Sequence, residues 1–576
     1  MHVDSSRRHY RASDGTEREY RRHLLRRSFR DKQGRPQKET LANLSALPDE
    51  AITTIRAVLS GAVLVDVDSG FEVESSLPHG DVAAVHAMAS ELGVKELLGA
   101  DCRERDLAYA LIVSRVVRPK SNLWTSRWWG DTTLGVDLGV VEASTDEVYV
   151  AMDWLLGRQD RLEAVLAKRH LQPGGMAMFD LSSSWVQGRC CELAAFGHSR
   201  DRRGGNKQVE YGLLTDRVGR PVGIRVFPGN TSDTTSFTAA VGRVRDQFGL
   251  ARLTMVGDRG TITSARIKEL RELPGIEWIT ALRAPAIAAL ASNDGPLQMS
   301  LFDTQNFAEI VHPDDAGERL VCCRNPALAE ERARKREALL VATEKELGKI
   351  AGRVLAGKLS GKDAIGIAVG KVINKYKMGQ HITLDIGDTE FGFSRDEEKI
   401  RAESALDGIY VIRTGLDVHT LDAPDVVAAY KSLAHVERDF RIIKIDDLDL
   451  RPICHYLSDR VRAHIFLCML AAYIVWHLRE KLAPLTFTDE HIPPRADPVT
   501  PAQRSDTGTS KDAPKTTPDG LPVRSFQDLL AHLRTLNREI INFTGQRIEK
   551  LTTPTPTQRR VFELLGGSIP LTLTGK

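Results

Sequence analysis

Apolar residues recur at three- and four-residue spacing between Asp49 and Leu171, in LAYALIVSRVV and VYVAMDWLLGRQDRLEAVLAKR, which predicts a helical domain over 49–172. At Met176 the pattern changes to short β runs, MAMFD, VEYGLLTD and PVGIRVF, with turn residues at Gly204-Gly205 and Arg217-Val218-Gly219. Three such runs in succession predict an antiparallel meander. A helical stretch from Thr234 to Phe248, the run LTMVGD, a helix from Ser264 to Leu273 and the run IEWITAL follow. That alternation favours parallel pairing, so the fold class is α/β, a mixed sheet flanked by helices.

The rhythm breaks over 284–405, where candidate strands (AEIVHP, RLVCC, HITLDIG, TEFGFS) mix with a highly charged helix from Ala327 to Ala356. This stretch reads as an α+β insertion between a first core part, 173–283, and a second, 406–484. The second part resumes with GIYVIRT and a helix from about Pro424 to Lys444. The run Ala463 to Leu478 contains His464 and is shorter than the roughly 20 residues that span a bilayer, so it reads as a buried helix and gives no reason to expect a membrane partner. Residues 485–523 are rich in Pro, Thr and Asp and read as a polar linker. A C-terminal helical segment, 524–576, opens with the amphipathic stretch SFQDLLAHLRTLNREI, which would pack back or pair with a partner.

Composition adds less. The chain has 576 residues, enough for several domains, and its 79 basic residues nearly balance 77 acidic ones, so net charge does not point to nucleic acid and local charge must. The densest positive stretch, residues 7–38 within a basic N-terminal segment 1–48, holds twelve Arg or Lys. It suits phosphate contact, and equally a solvated arm. The loop His198 to Lys207 (HSRDRRGGNK) poses the same choice, while Asn230 and Asp233 in PGNTSD suit a turn or helix cap. RPKSNLWTSRWWG, with Trp124, Trp128 and Trp129, fits a DNA-facing surface or, more readily, a helical core, and Trp278 inside IEWITAL also reads as core. Seven cysteines without C-x-x-C spacing and a polar N-terminus favour a reduced, cytoplasmic setting.

Three acids stand out. Asp180 follows MAMF and Asp258 closes LTMVG, both at the ends of candidate strands, where sites of open α/β sheets assemble. In YKSLAHVERDFRIIK, Tyr430, Glu437 and Lys444 are spaced by seven, nearly two helical turns, which places them on one face beside an apolar stripe of Val426, Ala429, Leu433, Val436 and Phe440, a pattern that suits a functional face and, equally, a surface Glu flanked by a surface Lys. Converging carboxylates repel one another and raise their pKa values, so such a cluster implies bound cations. Oxygen ligands without His or Cys favour Mg²⁺ or Mn²⁺, and two such ions support in-line phosphoryl displacement.

The stretch Tyr430, Leu433, Glu437, Lys444 resembles the Y-x₂-R-x₃-E-x₆-K signature of Asp-Asp-Glu (DDE) bacterial insertion-sequence transposases, with Leu433 where the family usually has Arg; Arg441, one turn beyond Glu437, could substitute. FDLSSSW, the stretch CELAAFGHSRDRRGGNKQVEYGLLTDRVGRPVGIRVFPGNTSD and MVGDRG resemble the same enzymes around their first two acids. RPKSNLWTSRWW and AMDWLLGRQDRLE resemble their helical N-terminal part. The resemblance implies an RNase H-like core with Asp180 on strand one, Asp258 on strand four and Glu437 on a helix after strand five, and an insertion domain before that helix. It implies that these three residues are the catalytic, metal-holding acids for two Mg²⁺ or Mn²⁺ ions. Tyr430, Lys444 and Arg441 would contact DNA. The implied substrate is double-stranded DNA with terminal inverted repeats, bound by a homodimer at the nucleoid. The alternatives are an RNase H-like nuclease without strand joining, or a non-catalytic DNA-binding protein derived from a transposase.

Overall fold

The computed structural model describes all residues except 12–14, 16, 63, 65–70, 202, 232, 293–294, 491–496, 544–545 and 575–576. It divides into two compact units, Met1–Ser76 with Arg538–Leu551, and Leu77–Asn537 with Thr552–Lys576.

In the first unit the basic N-terminal segment is a three-stranded antiparallel sheet, His2–Arg11, Glu17–Arg30 and Pro36–Asn43, rather than a solvated arm. Cross-strand backbone pairing holds it. Both faces are largely polar, so the sequence carries no apolar alternation from which strands could be read. The helix Asp49–Leu59 packs on this sheet, tied by Arg21 to Asp49 at 2.7 Å, and thus lies outside the helical region to which its periodicity assigned it. A second small sheet joins Gln546–Leu551, Asn537–Phe543 and Phe71–Pro78. The helix predicted through Ile540 therefore ends at Leu533, and the β-branched NREIINF leaves it to form a strand.

The second unit is built on one mixed eight-stranded sheet. Its strands are β1 (Met176–Trp185), β2 (Gln208–Asp216), β3 (Pro221–Pro228), β4 (Leu253–Val256), β5 (Ile276–Ala281), β6 (Phe307–His312), β7 (Asp315–Arg324) and β8 (Ile409–Thr414). They lie in the order β6-β7-β8-β5-β4-β1-β2-β3. β1, β2 and β3 form the expected antiparallel meander, and β1 pairs parallel with β4 and β4 with β5. The stretch 284–405 does not stand wholly apart. β8 adds antiparallel to β5, and β7 and β6 extend the same sheet. Leu320, Val321, Cys322 and Cys323 of β7 are fully buried, as a continuous apolar run in a covered strand should be. The part from Pro326 to Ser404 leaves the sheet. It comprises the helices Pro326–Leu355 and Lys362–Tyr376, a hairpin of Ile382–Ile386 with Phe391–Arg395, and the helix Glu397–Ser404, and Leu340, Leu347, Ile365 and Val369 centre an apolar cluster of its own.

Helices between Gly80 and His170 cover the sheet with a long helix Ser458–Lys481, which packs against the helices Arg103–Val117 and Thr145–Leu156 and against β3. That long helix is apolar enough to cross a membrane, yet it is the buried core helix its His-containing sequence predicted. Trp128 and Trp129 are buried, Trp124 stacks on Trp128 at 6.0 Å, and Trp278 is in the core, so the core readings of these tryptophans hold.

The stretch read as a linker is folded where it is described; its residues 491–496 lie outside the described part. Val499 is fully buried, and Lys511, almost fully buried, donates from Nζ to the carbonyls of Ala483 and Thr488, each at 2.9 Å, and to Glu490 at 2.5 Å. Hydrogen bonds of buried polar groups help hold this segment, and composition does not report them.

Candidate active site

The parallel ladder between β1 and β4 runs only from Met176–Met178 against Thr254–Val256. Asp180 lies two residues past its end on β1, and Asp258 two residues past its end on the other chain segment, so the register that pairs Met178 with Val256 brings the two acids side by side. Asp180 is not at the end of its strand as the sequence suggested. β1 continues to Trp185 because β2 stays paired with it, Asp180 facing Leu213. Asp258 stiffens its own turn: its Oδ1 accepts from the amides of Gly260 (3.0 Å) and Thr261 (2.7 Å), and the Thr280 hydroxyl donates to its carbonyl at 3.0 Å.

The third acid arrives on a helix pair. α1 (Ala423–Lys431) starts at Asp422, whose side chain accepts from the Asp425 amide at 2.9 Å, with Pro424 in its first turn. α2 (Leu433–Arg441) follows after Ser432. Val426, Ala429, Val436 and Phe440 are buried, the stripe that lays both helices on the sheet, while Leu433 is half-buried. The opposite side brings Tyr430 and Glu437 to a cavity of about 340 Å³ that Asp180 and Asp258 also line.

This cavity brings three carboxylates together, with Lys431 also on its wall. Burial pushes the Asp180 carboxyl up to about 7; Asp258 and Glu437 add to the shift, while the Leu181 amide, 2.8 Å from Oδ1, and Arg200 oppose it. Burial pushes the Tyr430 phenol up to about 12, with Asp258, Glu437 and Asp180 adding and Arg259 opposing. No His or Cys lines the cavity, so its donors are hard oxygens suited to Mg²⁺ or Mn²⁺, and carboxylates that raise one another's pKa are relieved by a cation. The donor chemistry therefore fits. The acids are not drawn into a ready-made cage: among the described residues no three His, Cys, Asp or Glu side chains group closely enough to hold an ion.

The other expected DNA contacts lie elsewhere. After Arg441, exposed at the end of α2, the chain winds into a π-helical turn, Ile442–Asp446. This wider turn breaks the seven-residue phase, and Lys444 is buried on a different path, its Nζ donating to Asp201 at 3.0 Å. Arg451 shares that carboxylate at 2.5 Å. Asp201 belongs to the basic loop before β2, whose Arg203 lies over the Trp185 ring at 4.9 Å; Arg202 lies outside the described residues. Asn230 sits in a turn and Asp233 opens the helix Asp233–Gly242, its side chain outside the description.

Sequence reasoning did not single out Asn325, Tyr410, Lys431 or Ala434 of the cavity wall. Asn325 accepts from the Leu328 amide at 3.1 Å as N-cap of the long helix Pro326–Leu355, and an Asn-Pro pair before a helical run is a signal that could have placed it. Tyr410 comes from β8. Lys431 donates to the carbonyls of Val499 at 2.6 Å and Thr500 at 3.3 Å, so the supposed linker closes one side of the site.

Residues 197–474 match the family model described as the transposase DDE domain. The match takes in Asp258, Tyr430, Glu437 and Lys444, begins after Asp180 and covers a little under half of the chain. No curated protein matches. Among solved structures, a chain of the piggyBac transposase synaptic complex with hairpin DNA is similar at 9% identity, covering 79% of this chain and 76% of that one, with a TM-score of 0.33, a likeness too weak to assign a fold.

Proposed function

We propose that this protein is a DDE transposase that cleaves DNA at the terminal inverted repeats of an insertion sequence and transfers the freed strand to a new site. The observation that carries the reading is the convergence of Asp180, Asp258 and Glu437, far apart in sequence, on one cavity in which the first is pushed up to about 7. The match of residues 197–474 to the transposase DDE domain supports it independently. An RNase H-like core is supported by the five strands β1 to β5, with Asp180 on the first, Asp258 after the fourth and Glu437 on a helix beyond the fifth. The stretch between β5 and α1 is then the insertion.

In this reading Asp180, Asp258 and Glu437 hold two Mg²⁺ or Mn²⁺ ions, which when bound supply charge neutralisation for an in-line attack on phosphorus. The chain's own residues bind and orient. The Asx turn at Asp258 fixes that carboxylate, and Tyr430, whose phenol stays protonated, offers an O–H donor to a phosphate oxygen at the cavity mouth. Water attacks phosphorus first and the 3′-oxygen leaves; the freed 3′-hydroxyl then attacks a phosphorus of target DNA and displaces the target's own 3′-oxygen, without a covalent protein intermediate. Pairing two ends requires a homodimer in the active complex, acting on DNA in the nucleoid.

The test is Mg²⁺-dependent cutting and joining of a DNA fragment that carries the ends of the element. Asp180→Asn, Asp258→Asn and Glu437→Gln should each abolish cutting while end binding persists. Unchanged cutting by any variant removes that residue from the site. Cutting without joining makes the protein a nuclease, and binding without cutting in the wild type makes it a non-catalytic DNA-binding protein.

A further inference from the structure

The N-terminal sheet sorts its charges between its faces. Residues opposite one another in an antiparallel pair share a face, and successive residues alternate. The register pairs Arg8 with Tyr20, Ser6 with Arg22, Asp4 with Leu24 and, on the third strand, Ser28 with Lys38 and Arg30 with Pro36. One face therefore carries Arg8, Tyr10, Tyr20, Arg22, Arg30 and Lys38, all exposed, the tyrosines at 59% and 58%. Its one acid among the described residues, Asp4, is already paired with Arg26 at 2.7 Å.

The other face is different. It carries Glu17, Glu19 and Glu39 among its arginines; Arg21 reaches Glu19 at 3.0 Å and Arg7 lies 3.6 Å from the same carboxylate. The helix Asp49–Leu59 also sits there, Asp49 binding Arg21 and Arg56 contacting Ser5. The sheet thus has one neutralised, helix-covered face and one face of surplus cations and exposed tyrosines. The exposed tyrosines offer this face an amphipathic ring and a hydroxyl donor that a polar partner can use.

We propose that the face of Arg8, Tyr10, Tyr20, Arg22, Arg30 and Lys38 docks duplex DNA. This rests on the transposase reading and names the part of the chain that grips DNA outside the active site. The cations meet backbone phosphates, and the tyrosine hydroxyls donate to phosphate or sugar oxygens. Three strands about 4.8 Å apart span ~10 Å between their outer backbones, a face that can lie along the phosphates bordering the ~12 Å major groove of B-DNA.

The experiment uses the full chain and duplex DNA carrying the ends of the element, with binding measured as a function of salt. R8Q/R22Q/K38Q should weaken binding and lower the slope of log K against log salt by about 2–3, at roughly 0.9 per lost phosphate contact. R7Q/R11Q/R27Q, an equal charge change on the covered face, should lower it by less than 1. Y10F/Y20F, with every charge kept, should weaken binding several-fold. Equal losses from both triple variants, no loss from the first, or tighter binding of a single strand than of the duplex would each overturn the assignment. If the first triple variant binds like wild type while Asp258→Asn still abolishes cutting, only the docking face is refuted. A wild type that binds no DNA refutes both it and the transposase reading.

Discussion

Lys444 and Asp201 offer a sharp test of where the signature lysine works. The Asp201 side chain is 3% exposed and takes Lys444 at 3.0 Å and Arg451 at 2.5 Å, so its charge is shared between two cations in a dry site. Asp201→Asn strands the buried Lys444 without a counter-charge, and breaking one partner of a buried pair costs about 3–5 kcal/mol. Lys444→Met costs less, about 1–2 kcal/mol, because Arg451 still satisfies Asp201. At roughly 2 cal/mol/K per residue, a unit of about 490 residues unfolds with an entropy of ~1 kcal/mol/K, so these costs become Tm losses of about 3–5 °C and 1–2 °C. The double variant should lose less than the sum, with a coupling of about 1–3 kcal/mol, since each substitution removes the group the other leaves unpaired. Differential scanning fluorimetry reads the Tm, and salt-dependent DNA binding is measured beside it. If Lys444→Met keeps the wild-type Tm and lowers the salt slope by about 1, the lysine is a DNA contact and the buried clamp is wrong.

Three further outcomes follow from the packing. Glu163 is fully buried and accepts from the Ile224 amide at 3.0 Å, from Gln159 at 2.8 Å and from Arg225 at 2.9 Å, with Arg243 also against it. Glu163→Gln should destabilise by about 3 kcal/mol or more in urea unfolding, and a neutral result would show that the two arginines find other partners. At Gly229 an added Cβ would meet the carbonyl oxygens of Gln208 and Ala195, so Gly229→Ala should lower Tm by several degrees, and an unchanged melting curve would show that the loop can shift. Burial pushes His455 down to about 4, with Arg115 and Arg460 adding to the shift. Its folded pKa lies below the ordinary 6.5, so the unfolded chain takes up the proton first, and stability present above pH 6.5 is lost as pH falls toward 4, by at most about 3 kcal/mol. His455→Asn should flatten that acid-side loss, and an identical pH profile would show that the histidine is not held neutral.

The meander and the parallel pairing were legible because period-two alternation and glycine turns are local signals, and Asp180 and Asp258 were legible because they end apolar runs. The destination of Lys444 was not: helical phase predicts a common face with Glu437, and the π-helical turn over Ile442–Asp446 overrides it. The N-terminal sheet was hidden because strands that are polar on both faces leave no hydrophobic period. The extension of the sheet by β8, β7 and β6 was hidden because the strand beside β5 lies more than a hundred residues away along the chain. By itself, then, the sequence singled out the three acids as candidates, and determined the pattern of the meander and the burial of the long apolar helix, all properties of short windows. Only the tertiary structure decided which cavity the acids share, which groups press on Asp180, where Lys444 points and how the charges of the basic sheet divide between its faces, because each depends on strand register and on contacts between segments remote in sequence.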